Sequence, residues 1–410
     1  MTSIEAEPGA GERLHALDAV RAGALLLGVA FHATLTFLPG PQIWVVRDAQ
    51  SAGLGDFFFV AHLFRMTAFF LIAGYFGRML LHRRGTGGFI RNRLARIALP
   101  AVTFWPIVMP GIIACFIWGG VVMSGGAAPA TPPPPPPLPT LATFPLTHLW
   151  FLYMLLVLYA GTLLIRGAVV LIDRKGRLRE GLVDSAMRRL VATPAAAVVL
   201  AAPVALAFAL KPMWFAWGGI PTPDTGFVPN VTAVIGFGTA FGFGWLLQRQ
   251  RGLLDSIARW WAVQLAAAVV LTIACLWQLG DSSAFAPMPE GNAKLAYAAC
   301  YALAMWSWTL GLTGAALRFL SKERPAVRYV ADASYWIYLV HLPVVMALQV
   351  LVFPLALPAV AKWGLVVGGA FLILIASYHL AVRHSFVGRW LNGRKYPWRK
   401  PAAAMEAQPA

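Results

Sequence analysis

Charge-poor apolar runs of about 18 to 25 residues recur along the chain, each long enough to cross a hydrocarbon layer of about 30 Å as a helix. A backbone in lipid must satisfy its own hydrogen bonds, so these runs are expected as helices. The strand-like alternation over roughly ten-residue segments that a membrane β-barrel needs is missing. The runs fall at about 20–39, 56–80, 99–123, 148–171, 194–211, 231–247, 260–279, 294–317, 334–353 and 362–382. Composition agrees: 59% of the 410 residues are hydrophobic and 12% are charged, whereas a soluble chain averages roughly 25% charged. Mean hydropathy is +0.68. The expected fold class is all-α, a polytopic transmembrane bundle of about ten spans.

Basic residues set the orientation. With the N-terminus inside, Arg47, Lys211, Lys294 and Lys362 lie outside and Arg65 lies within a span, leaving 28 of the 33 Lys and Arg at cytosolic ends. That bias is a strong positive-inside signal, so the net charge of +17 is first a topology marker. Nucleic acid is excluded as a partner, because its recognition needs a basic face on a soluble module. Glu5, Glu7 and Glu12 argue against a cleavable leader at the start. The expected organisation is a short cytosolic tail over 1–12, a membrane domain over 13–390 and a basic cytosolic tail over 391–410. Within the domain, an external loop at about 124–147 carries the polyproline stretch Ala128–Pro139, a stiff extended spacer. Arg383, Arg389, Arg394, Lys395, Arg399 and Lys400 are expected along the anionic inner leaflet, with membrane lipids as partners. Cys115, Cys275 and Cys300 fall inside spans and offer neither a disulfide framework nor metal-ligand spacing.

Ionisable residues inside spans are expensive and are functional candidates by default. His32 lies about 18 Å into the first span, Arg65 about 15 Å into the second and His341 about 12 Å into the ninth. Three polar groups from three helices thus meet near mid-depth. Arg21 and His32 are eleven residues apart, three helical turns plus about 20°, so both project from one face about 16 Å apart. Asp18, three residues before Arg21, is placed to hold its guanidinium. Arg93 and Arg96, in the loop entering the third span, form an R-x-x-R pair suited to gripping phosphates. Bland readings exist for each: positive-inside bias scatters arginine pairs, and a buried histidine is often satisfied by its own helix. On that footing His62 reads as a packing neighbour of Arg65, while His148 and Trp150 read as an outer-interface anchor.

These elements together resemble the type-three membrane acyltransferase family. Its Arg, ten residues and His in the first span match Arg21 and His32 within LDAVRAGALLLGVAFH, and its R-x-x-R matches Arg93 and Arg96. Its Phe-Phe-x-x-Ser-Gly segment is similar to FFLIAGYF, with Ala73 at the usual serine, and its YLVH element is similar to SYWIYLVHLP, which holds His341 and Pro343. FRMTAFFLIAGYF and HLWFLYMLL are most similar to the branch containing glucan biosynthesis protein C, associated with succinylation of periplasmic glucans. The resemblance implies an O-acyltransferase of the bacterial inner membrane that moves an acyl group, succinyl or acetyl, from cytosolic acyl-CoA to a glucan or other envelope carbohydrate. It implies no permanently bound cofactor, acyl-CoA being a substrate. Arg21, Arg93 and Arg96 would bind the donor and His32 and His341 would be catalytic. Arg65 and Asp18 complete the polar set. His32 would act as a base or would itself carry the acyl group. A transporter or flippase for an envelope sugar or lipid-linked precursor is the rival reading, but matching halves with broken helices are missing. A scaffold without chemistry leaves His32 and Arg65 unexplained.

Overall fold

The computed structural model describes residues 10–40, 44–127, 137–250, 252–280, 287–393 and 396–397. The fold is all-α, and the β-pairing among the described residues is one isolated bridge, Pro145 with Thr225. In chain order the helices are α1 Ala10–Thr34, α2 Ala52–Arg93, α3 Leu99–Met123, α4 Trp150–Ile172, α5 Asp184–Val191, α6 Ala196–Ala209 and α7 Val231–Leu247. There follow α8 Leu253–Arg259, α9 Trp261–Leu279, α10 Asn292–Phe319, α11 Pro325–Val352, α12 Ala359–Ser377 and α13 Phe386–Asn392.

Every expected span is occupied by a helix. By length and composition, seven helical stretches among the described residues can cross a membrane, and Ala52–Met123, at 72 residues, takes in both the second and third runs. The fifth run departs from a straight span: Arg179–Val191 and Ala196–Ala209 meet at a bend of 104°, where Pro194 interrupts the helical hydrogen bonding. The sixth, Val231–Leu247, has 17 residues, short of the roughly 20 that a perpendicular span needs. Exposed Leu164, Ile165, Leu171 and Ile172 on α4 match a lipid-facing surface rather than a watery one.

The segment carrying Arg93 and Arg96 is helical rather than a loop. Helix α2 kinks at Gly85 (φ 67°), runs on to Arg93, and joins α3 through a π-helical turn, Leu94–Ala98. Further up, α2 crosses α7 so closely that a Cβ on Gly74 would lie 2.0 Å from the Phe241 carbonyl oxygen, so the glycine of FFLIAGYF is a packing requirement. Two lysines counted as outer topology charges are buried and ion-paired, Lys362 to a buried partner and Lys294 to an exposed one. Lys362 donates to both oxygens of Asp48 (3.0 and 2.8 Å), and Lys294 donates to Glu290 (2.7 and 2.9 Å) and to the Lys211 carbonyl at 2.8 Å.

At the termini, α1 begins at Ala10, inside the segment expected as a tail. Arg383 is packed between the rings of Tyr329 and Tyr396 (4.7 and 4.5 Å). Arg394, Lys395, Arg399 and Lys400, together with residues 128–136 of the polyproline stretch, lie outside the described residues. Cys275 and Cys300 are free thiols 3.4 Å apart at the packed face of α9 and α10.

Candidate active site

Helices α1, α2, α4 and α11 surround a cavity of about 90 Å³ lined by His32, His62, Arg65, His148 and His341. The three polar groups expected at mid-depth are therefore together. His32 and His341 touch directly, His341 Nε2 lying 3.0 Å from His32 Nδ1. Their other contacts assign the tautomers. His32 Nδ1 is 2.8 Å from the Gly28 carbonyl and His341 Nδ1 is 2.8 Å from the Tyr338 carbonyl. A carbonyl only accepts, so both Nδ1 atoms carry hydrogen in the neutral rings. His341 then offers its Nε2 lone pair to His32 Nδ1–H, and the proton-free nitrogen of His32 is Nε2.

Arg65 reaches across from α2 and lies over the Phe31 ring, its central carbon 4.3 Å from the centroid. It fits because residue 28 is glycine: a Cβ there would sit 2.7 Å from Arg65 Nη1. One glycine thus supplies the carbonyl that fixes His32 and the gap that admits the guanidinium. Arg65 Nε and His62 Nδ1 are buried without a hydrogen-bond partner among the described residues, and no Asp or Glu lines this cavity. Buried polar atoms without partners are rare and expensive, and a cationic one beside a pair of histidines marks a place for an anion or water.

The end of α1 is fixed as well. Gln349, fully buried on α11, donates to the His32 and Ala33 carbonyls (3.1 and 3.2 Å) and accepts from Trp44 Nε1 at 2.9 Å. Carbonyls in a last helical turn have no intrahelical donor, and this amide supplies one.

A second cavity of about 360 Å³ is lined by Arg21, Arg93, Arg96, Tyr159, Asp332 and Tyr335 among others. Leu25, Phe69 and Phe151 line both cavities and so form their shared wall. The periodicity that placed Arg21 and His32 on one face thus puts one in each cavity. Arg93 donates to Tyr159 Oη (3.2 Å) and Asn92 Oδ1 (2.7 Å), while its buried Nε has no partner among the described residues. Arg96 donates to the Leu391 carbonyl at 2.9 Å, bringing α13 against the cavity. Asp18 holds Arg21 at 2.9 Å as the spacing suggests; it pairs there, about a third exposed, and lines neither cavity. Ala73 lines the second cavity, and its carbonyl accepts from Tyr159 Oη at 3.3 Å.

Two histidines escaped the sequence reading as site residues. His148 is buried and stands edge-on to His341, with ring centroids 5.2 Å apart. His62 packs edge-on against Phe31 and Phe58 at 5.4 and 5.5 Å. For His62 depth in the span was the available signal, though it also fits a packing face; His148 opens its span and fits an ordinary role at a helix end.

A profile of an acyltransferase domain matches residues 14–382 of the chain. Among curated proteins the chain is similar to glucans biosynthesis protein C of Escherichia coli strain K12 and of Escherichia coli O1:K1 / APEC, at 32% identity over 152 residues in each case. Those matches cover 37% of this chain and 38% of each relative, so the chain spans little more than a third of the length of the curated proteins it matches. No solved structure matches it.

Proposed function

The chain belongs to the type-three acyltransferase family, matched across residues 14–382, and from that premise we propose that it transfers an acyl group from cytosolic acyl-CoA to a hydroxyl of an envelope glucan. The observation that carries this reading is the pair of adjoining cavities: a basic one with Arg21, Arg93 and Arg96, and a histidine-lined one with His32 and His341, separated by Leu25, Phe69 and Phe151. An elongated anionic donor has its phosphates met by the arginines and its thioester carried about 16 Å along α1, to the level of His32.

His32 Nε2 takes the proton of the acceptor hydroxyl as the oxygen attacks the thioester carbonyl. The imidazolium so formed keeps its Nδ1–H on the Gly28 carbonyl and on His341 Nε2. Collapse of the tetrahedral intermediate breaks the C–S bond, and the departing sulfur takes the proton back from His32, leaving an ester and free CoA. His341 in this scheme orients His32 and does not meet the acyl group. The glucan acceptor rests on the similarity to the glucans biosynthesis proteins, and the placement in the bacterial inner membrane rests on the long apolar helices and the one-sided distribution of Lys and Arg.

The donor assignment is tested by titrating CoA against purified variants. Arg93→Ala and Arg96→Ala are each expected to weaken binding by about tenfold or more, the value of a charge-assisted hydrogen bond. Lysine at either position should rescue poorly, since an ammonium lacks the planar fork of a guanidinium. Unchanged affinity in both variants would return the pair to the role of topology markers.

A further inference from the structure

Proline 343 sits two residues after His341, inside the continuous helix α11. It has no N–H, so the carbonyl four residues earlier, that of Leu339, loses its helical donor. That carbonyl is not left empty: His148 Nε2, on the turn that opens α4, donates to it at 3.1 Å. The contact is answered in the other direction, for Tyr338 Oη donates to the His148 carbonyl at 2.8 Å. Two reciprocal hydrogen bonds thus fasten the start of α4 to the single turn of α11 that carries His341. Within that turn, the Tyr338 carbonyl also takes His341 Nδ1–H at 2.8 Å. The His148 ring then stands edge-on to His341 and limits its tilt.

We propose that His148 is a positioning residue of the transfer reaction, acting through the Leu339 carbonyl that Pro343 frees and so fixing His341 against His32. This rests on the reading of His32 as the base. His148 touches neither donor nor acceptor in this scheme. Its contribution is to keep His341 Nε2 within hydrogen-bond distance of His32 Nδ1, and loosening that contact lets the catalytic ring turn. Misplacement by about 1 Å costs up to about a hundredfold in rate.

Three variants test it, each read as kcat, KM for the acyl donor and melting temperature. His148→Leu removes the donor and is expected to lower kcat by about ten- to a hundredfold, with donor KM unchanged within about twofold. His148→Gln, which keeps an N–H near the same place, should recover most of that loss. Pro343→Ala separates positioning from stability. Alanine restores the N–H to the Leu339 carbonyl and is the better helix former, so the melting temperature should hold or rise. Competition from the restored helical N–H for the same carbonyl should nevertheless weaken the His148 contact and lower kcat, by about tenfold. Should His148→Leu fail to fold, Pro343→Ala carries the test alone. A Pro343→Ala or folded His148→Leu protein with kcat within about twofold of the parent overturns the proposal. Loss of activity only in proportion to loss of folded protein overturns it equally. A parent that transfers acyl groups and is silenced by His32→Ala keeps the underlying reading intact in either case; a parent without transfer sinks that reading instead.

Discussion

His32→Ala is expected to reduce acyl transfer by about a hundred- to ten-thousandfold, the range for loss of a positioned general base. The protein itself should still fold and insert. The side chain makes two hydrogen bonds, to the Gly28 carbonyl and to His341, and exchanging a typical intramolecular hydrogen bond costs only about 1 kcal/mol. Helix α1 is otherwise held by packing and by Gln349, which grips the backbone carbonyls of His32 and Ala33 whatever side chain residue 32 carries. Donor affinity should be unchanged, since Arg21, Arg93 and Arg96 line the other cavity. Activity assays paired with CoA titration separate these outcomes. A His32→Ala protein that keeps most of its transfer rate would show that the base lies elsewhere.

Arg65→Gln is expected to lower transfer from succinyl-CoA by about ten- to a hundredfold while leaving transfer from acetyl-CoA nearly unchanged, the size of a hydrogen bond to a buried charge. Arg65 lies in the cavity of His32, and among the described residues its Nε has no partner and no acidic side chain lines the space around it. A free carboxylate on the acyl group supplies the missing counter-charge through a two-point contact, and binding an acetyl group leaves the guanidinium unsatisfied. The competing role is polarisation of the thioester carbonyl, which every donor would need. Equal loss on both donors would decide for that general role and against selection.

Much of this arrangement is legible in the sequence because it follows helix periodicity and depth. The Arg21–His32 spacing needs only about 100° per residue, and the depths of His32, Arg65 and His341 need only the rise per residue. What escapes is what depends on neighbours far away in the chain. His148 reads as an interface anchor because its partner, the Leu339 carbonyl, lies 191 residues on and is available only through Pro343. Lys362 counts as an outer charge until Asp48, 314 residues earlier, neutralises it in a buried pair. Gln349 looks like one polar residue in an apolar run, and its role appears only when α11 lies against the end of α1. The bend between α5 and α6 is hidden for another reason. Pro194 marks a helix boundary in sequence, but an angle of 104° is set by packing rather than by local propensity.

The central claim is that a donor on one side serves an acceptor on the other through His32. Sealed vesicles holding the purified protein in one orientation, with labelled acyl-CoA on the side of Arg93 and Arg96 and glucan on the opposite side, test it most directly. Labelled ester is expected on the glucan with the parent protein, none with His32→Ala, and none when donor and acceptor sides are exchanged. Label that reaches the glucan equally in both arrangements, or with His32→Ala, would contradict it.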